Sequence, residues 1–174
     1  GSEMCIRDRY GIVFMPHSEN VILELDNGAP VGAFFKDLGE EAAVVDARVD
    51  MPAGLERLQV DHGDFTGAQR ALSIHTDVLD GVLRHLAALF DREGLLTETE
   101  FWLTCREVVL DYERRFPGTL EKLPVLAPQF KHSCLNRLQL RNPLSMVNLG
   151  DQESSLIYAG DMDNPLHSPE STAR

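Results

Sequence analysis

His17, Asn20, Lys36 and Asp37 carry the strongest chemical suggestion in the chain. They lie in MPHSENVILELDNGAPVGAFFKDLGEE, residues 15–41. His17, Glu19 and Asn20 precede one apolar run, and Lys36, Asp37, Glu40 and Glu41 follow the next. An amide oxygen beside a carboxylate oxygen suits a hard cation such as Mg²⁺, which keeps waters and bridges to phosphates. Protein kinases place a catalytic-loop Asn and a metal-binding Asp by comparable logic. Asn20 and Asp37 are thus candidate metal ligands of a Mg-nucleotide site. The solvent-facing end of a hairpin collects the same residue types without any function. Local chemistry alone names no reaction.

A second group is FKHSCLNRLQLRNP, residues 130–143. Read as a helix, Phe130, Cys134 and Leu138 form an apolar stripe, and Lys131 and Arg137 fall nearly two turns apart on one side. Such a basic face suits carboxylates or phosphates, since Arg offers a planar fork of donors. A solvated helix surface has the same composition. His62, His75, His85 and His167 lack metal-ligand spacing. Asp77 and Asp80 read as acids near a helix start, where the dipole favours them. Trp102 reads as core. The chain contains no GxxxxGK[ST], GxGxxG or GxSxG pattern.

The elements that must position these groups follow from periodicity. Gly11–Met15 is apolar and extended, and Pro16 ends it. Val21–Leu25 alternates and is rich in branched residues, so it predicts a strand. Asp26-Asn27-Gly28 is a turn signal, and Val31–Lys36 resumes as the partner strand. Closing that hairpin brings His17, Asn20 and Asp37 together. Ala42–Val45 predicts a third short strand, and Met51–Gly67 a loop or short helical turn. Leu72, Val78, Leu79, Val82, Leu86, Leu89 and Phe90 recur at helical spacing up to Gly94. Thr97 with Glu100 forms a capping box for a helix that stops before Pro117. Pro124 and Pro128 bracket a connection, and Phe130–Leu140 predicts a third helix halted at Asn142-Pro143. The result is an α+β chain: an antiparallel hairpin or small sheet, then a mostly helical region.

The 174 residues are 43% hydrophobic and 25% charged, which suits one domain. The net charge of −12 argues against nonspecific nucleic-acid binding, which draws on clustered Lys and Arg. No apolar run approaches a bilayer span, and no secretory signal is seen. Cys5, Cys105 and Cys134 are odd in number and widely spaced, so reduced thiols in a cytoplasmic protein are expected. Residues 1–10, GSEMCIRDRY, resemble a cloning scar followed by translated sequencing-adapter sequence, as contaminates metagenomic reading frames. Natural coding sequence is then expected to enter near Tyr10, already inside a domain. The expected organisation is a non-native leader at 1–10, a folded part at 11–166 and a disordered tail at 167–174.

Three ordered blocks carry a family resemblance. MPHSEN…FFKDLGEE resembles the "PHGEN…KDIGEE" pattern of siderophore synthetases that work independently of nonribosomal peptide synthetases. SIHTDVLDG (73–81) and SCLNRLQLRN…SSLIYAGDMDNPL (133–166) are similar to that family's central helix and closing segment. The wording is closest to the alcaligin and desferrioxamine branch, and it implies the palm-like carboxy-terminal part of such an enzyme. The family uses ATP and Mg²⁺ to activate a carboxylate as an acyl-adenylate, then joins it to a hydroxamate-bearing amine. By motif position His17 would sit at the nucleotide–carboxylate junction as a catalytic hydrogen-bond donor. Glu19, Asn20 and Asp37 would hold Mg²⁺ and nucleotide, with Asn20 and Asp37 on the metal. Lys131 matches a catalytic carboxylate-binding residue, and Arg137 the Arg following it. Ser18 stands where the family usually has Gly. The family's ATP site also draws Ser, Thr and Arg residues from a preceding half, so this chain alone is expected to adenylate nothing at a useful rate. Partners would be a small carboxylate and an amine, with no nucleic acid or membrane. Dimers are common in the family, and the oligomeric state stays open. Two other readings stand beside this one: a kinase-like phosphotransferase, and a non-catalytic interaction fragment with exposed apolar surface.

Overall fold

The computed structural model describes residues 10–14, 19–38, 42–46, 48, 50–60, 65–133 and 158–167. The chain is α+β: among the described residues, three two-stranded antiparallel sheets accompany a helical body.

The predicted hairpin is present. Strand β2 (Val21–Asp26) pairs with β3 (Ala29–Phe35) from Val21↔Phe35 to Asp26↔Ala29, with a register shift between Glu24 and Leu25. Asn27 at φ 49° and Gly28 at φ 83° are both left-handed, the geometry of a two-residue hairpin turn that follows strand twist. Asn27 Nδ2 adds a 3.0 Å bond to Asp26 Oδ1. Before and after the hairpin, β1 (Ile12–Val13) pairs with β4 (Ala43–Val44). Val13, Ala43, Val44 and Val45 are buried there. Gly11 sits at φ 61°, and a Cβ on it would lie 2.4 Å from Asp46 Cβ, so no other residue fits without movement.

Helix α1 (Gly67–Ser73) starts at a capping box between Thr66 and Gln69. It runs into a π-helical segment, Ile74–Leu83, and then α2 (Arg84–Arg92). Helix α3 (Glu98–Arg115) begins with the predicted box: Thr97 Oγ1 accepts from Glu100 N at 3.3 Å, and Thr97 N donates to Glu100 Oε2 at 3.0 Å. Such a cap stabilises by about 1 kcal/mol. Near its end, Glu113 accepts backbone N–H bonds from Gly118 at 2.7 Å and Leu120 at 2.9 Å. Those donors hold its carboxyl below the usual range and fasten short helix α4 (Thr119–Lys122).

Strands β5 (Gln129–Ser133) and β6 (Tyr158–Asp163) pair with Lys131 opposite Asp161. The core gathers Leu79, Phe101, Trp102, Val109, Tyr112, Val125, Phe130 and Leu166. Phe101 meets Trp102 edge-on, centroids 5.3 Å apart, a favoured aromatic geometry. Asn164 is buried and ties the end of β6 to the Pro124–Pro128 connection. Its Nδ2 donates to Val125 O at 2.8 Å and Ala127 O at 2.7 Å, and its Oδ1 accepts from Leu166 N at 2.9 Å.

Three expectations are corrected. The predicted helix over Phe130–Leu140 is a β-strand through Ser133, and residues 134–140 lie outside the described ones. Pairing with β6 and alternate burial of Phe130 overrode the apolar spacing that had suggested a helix. Asp77 falls in the first turn of the π-helical segment, but that segment continues the run begun at Gly67, ten residues earlier, so no free helix N-terminus lies at Asp77 or Asp80. Short helix α4 follows Pro117, where the sequence predicts only a helix stop, and Gly118 before it sits at φ 89°. Of the expected leader at 1–10 and tail at 167–174, residues 1–9 and 168–174 also lie outside the described residues.

Candidate functional site

The open end of the hairpin sets Asn20 opposite Lys36, whose N–H donates to Asn20 O at 3.1 Å, one rung beyond Val21↔Phe35. Asp37 comes next, at φ 60°. That left-handed turn breaks strand alternation, and Asp tolerates it better than most residues. Asn20 is 5% exposed, whereas the Asp37 carboxylate is 57% exposed and ion-paired with Lys36. The backbones of Asn20 and Asp37 therefore converge, while one side chain is turned inward and the other outward. Glu19, beside Asn20, is exposed. His17, Glu40 and Glu41 lie outside the described residues, as does Arg137. Among the described residues, no group of three or more His, Cys, Asp or Glu could hold a metal ion. A cation at the hairpin end would need Asn20, Asp37 and oxygens from water or phosphate, which is the ligand mixture Mg²⁺ accepts.

Lys131 sits on β5 rather than on a helix, so the side shared with Arg137 in helical spacing does not hold. Its Nζ lies 2.8 Å from Asp161 Oδ1 across the β5–β6 rung, both side chains about half exposed. A pair so exposed is worth at most about 1 kcal/mol, so Lys131 can exchange Asp161 for another carboxylate at little cost. Beside it opens a cleft of about 190 Å³ lined by Leu72, His75, Pro124, Phe130, Lys131 and Asp161.

Sequence reading missed the support beneath Lys131. The flanking residues Phe130 and His132 both engage the π-helical segment. Phe130 stacks on His75, centroids 4.8 Å apart and rings 14° from parallel. His75 is buried, and its Nε2 lies 3.3 Å from Val125 O. His132 Nε2 lies 3.5 Å from Asp80 Oδ2, and Arg84 Nε lies 2.8 Å from Asp80 Oδ1. The Arg84 contact lacks the direction of a hydrogen bond and is electrostatic. The available signal was an acid four residues before an Arg, a spacing that lets the two pair on a helix face.

Elsewhere, Asp46 accepts from Arg48 N and Nε at 2.9 Å and from Nη2 at 2.6 Å. The side-chain bond from Arg48 holds the Asp46 carboxyl at about 2, against the opposing pull of burial. Burial pushes the Cys105 thiol up, which disfavours a nucleophilic thiolate. No helix among the described residues is long and apolar enough to cross a membrane.

The chain is 38% identical over 160 residues to putrebactin synthase of Shewanella sp. strain MR-4, covering 90% of this chain and 25% of that protein. It is 27% identical over 167 residues to aerobactin synthase of Escherichia coli, covering 91% of this chain and 27% of that one. The fold matches aerobactin synthetase IucC of Klebsiella pneumoniae with a TM-score of 0.73 at 20% identity, over 95% of this chain and 29% of that one. Petrobactin biosynthesis protein AsbB of Bacillus anthracis str. Sterne matches with a TM-score of 0.72 at 16% identity, over 98% of this chain and 30% of that one. The chain thus spans about a quarter of the length of these curated relatives. A family model described as "Ferric iron reductase FhuF-like transporter" matches residues 4–147. The chain therefore belongs to the FhuF-like family, and the relatives it resembles within that fold are siderophore synthetases of the kind that work without a peptide-synthetase assembly line.

Proposed function

We propose that this chain is part of an ATP- and Mg²⁺-dependent siderophore synthetase that activates a carboxylate as an acyl-adenylate and condenses it with a hydroxamate-bearing amine. One observation carries the reading. The stretch shared at 38% identity with putrebactin synthase contains the hairpin whose open end sets Asn20 beside Lys36 and Asp37. In this reading a carboxylate oxygen attacks the α-phosphorus of ATP and pyrophosphate leaves. The amine then attacks the activated carbonyl carbon, the carbon–oxygen bond to AMP breaks, AMP leaves with that oxygen and its electron pair, and the nitrogen gives up a proton. Mg²⁺ supplies charge neutralisation at the phosphates. Asn20 and Asp37 hold the metal side, Asp37 giving up Lys36 to do so, and Glu19 flanks them. His17 donates a hydrogen bond where negative charge develops on the reacting carboxylate. Lys131 and Arg137 hold the substrate carboxylate, Lys131 leaving Asp161 for it. A cytoplasmic enzyme with small-molecule substrates completes the reading.

The description of the matching family model names iron reduction. Two relatives matched over 90% or more of this chain are named as synthases. Ligation is the better fit.

The test is a graft. Putrebactin synthase with its matching quarter replaced by this chain is expected to release pyrophosphate with ATP, Mg²⁺ and that enzyme's own substrates. Asp37→Ala and His17→Ala in the graft are each expected to lower the rate by about a hundredfold. A folded chimera that releases none, or one indifferent to both substitutions, refutes the proposal.

A further inference from the structure

Asp80 is a buried acid with no part in the chemistry proposed above. Its side chain is 8% exposed, while its two partners, Arg84 at 47% and His132 at 37%, reach out to solvent. Oδ1 lies 2.8 Å from Arg84 Nε and makes no hydrogen bond among the described residues, and Oδ2 lies 3.5 Å from His132 Nε2. Partners so exposed return little of the cost of burying a carboxylate. An apolar side chain of like volume would fill the position without that cost, so stability alone does not account for the acid.

What Asp80 holds is a strand. His75 and Asp80 stand on one π-helical segment, Ile74–Leu83, and each reaches a residue that flanks Lys131. His75 stacks on Phe130 with centroids 4.8 Å apart, and Asp80 faces His132. The opposite strand of the ribbon is fastened separately, through the Asn164 bonds to Val125 O and Ala127 O. Gripping β5 on both sides of Lys131 fixes the backbone from which its long stem starts. Long π-helical stretches are rare, and π-helical turns gather at functional sites.

We propose that Asp80 is a positioning residue for the ligase reaction: through His132 it holds β5 so that the Lys131 ammonium stands where the substrate carboxylate is received. The proposal rests on the ligase reading above. Buried under the strand, Asp80 acts through Lys131 alone, so its loss weakens the hold on one substrate and leaves the nucleotide side untouched. A misplacement of about 1 Å can cost about a hundredfold. The flexible stem of Lys131 recovers part of that, and about tenfold is expected.

The test uses the putrebactin synthase graft with ATP, Mg²⁺ and that enzyme's own substrates, and separates KM from kcat. Asp80→Asn, which keeps the shape of the side chain, is expected to raise KM for the carboxylate about tenfold and to leave KM for ATP within about twofold. His132→Ala, made from the half-exposed side of the pair, is expected to do the same. On a Lys131→Ala background, Asp80→Asn is expected to add less than about twofold, because the group it positions is gone. A merely structural acid would lower the amount of folded enzyme, and so kcat, at unchanged KM. That result, an equal rise in both KM values, or a full further loss on the Lys131→Ala background overturns the proposal. A parent graft that releases no pyrophosphate sinks the ligase reading instead. The tie is then read on this chain itself, where Asp80→Asn is expected to speed hydrogen exchange about tenfold more at β5 amides than at α3 amides, and equal acceleration overturns it.

Discussion

Replacing Asn164 by Ala tests how the β5–β6 ribbon is held to the body. The side chain makes three bonds, two of them buried and that to Ala127 partly so: to Val125 O at 2.8 Å, to Ala127 O at 2.7 Å and from Leu166 N at 2.9 Å. Each such bond contributes about 1 kcal/mol net, and leaving its partner unsatisfied costs at least as much. Val125 O keeps His75 Nε2 at 3.3 Å, which softens one of the three losses. Asn164 N still donates to Pro128 O at 2.9 Å, because that bond is backbone. The expected loss is about 3 kcal/mol, which for a chain of this size lowers Tm by about 6–12 °C. Asn164→Asp should be worse than Ala, since a carboxylate oxygen would face two carbonyls. Urea unfolding followed by the fluorescence of Trp102, the sole tryptophan and 1% exposed, reads the change. Gln129→Ala serves as control, for its bond to Asp163 Oδ1 at 2.8 Å is exposed and should change stability by less than about 0.5 kcal/mol. A loss under about 1 kcal/mol for Asn164→Ala, at unchanged urea slope, would refute the reasoning.

Two further outcomes are expected. Asp80→Ala leaves Arg84 and His132 without their shared carboxylate and should cost about 1–3 kcal/mol, with hydrogen exchange at β5 amides rising before that of α3; equal rises would count against a specific tie. Asp46 has its folded pKa depressed to about 2 from an ordinary 3.8, so its contribution is present above about pH 4 and fades as pH falls towards 2. Asp46→Asn should therefore melt lower than the parent at pH 6 and draw level with it only below about pH 2; Arg48 is exposed, so the gap stays below about 1 kcal/mol.

What was legible was local. Asn27-Gly28 declares its turn because only a few residues accept two successive positive φ angles, and Thr97 with Glu100 declares a helix start because the two groups satisfy each other. The strand at Gln129–Ser133 was not legible, since its partner lies near residue 160 and nothing nearby fixes the period of Phe130, Cys134 and Leu138. Asp80 was misread for a related reason. Its acid reads as one favoured by a helix start, and nothing in the sequence points to His132, which β5 brings to it from 52 positions away. The hairpin end was readable as a convergence of backbones, but the inward turn of Asn20 and outward turn of Asp37 depend on the single left-handed residue at 37.

The π-helical stretch from Ile74 to Leu83 sets a phase that an ordinary helix could not. Its hydrogen bonds skip five residues, so positions five apart stack nearly above one another, whereas at 3.6 residues per turn they would stand about 140° apart. His75 and Asp80 are five apart, and they meet Phe130 and His132, which are two apart on a strand and so share its face. A wide coil and a pleated strand thus keep common time over one repeat. An ordinary helix over the same residues would swing one of the two grips away from the strand and leave Lys131 anchored on one side only, whereas deleting one residue between positions 76 and 79 would set the pair four apart and let an ordinary helix keep both.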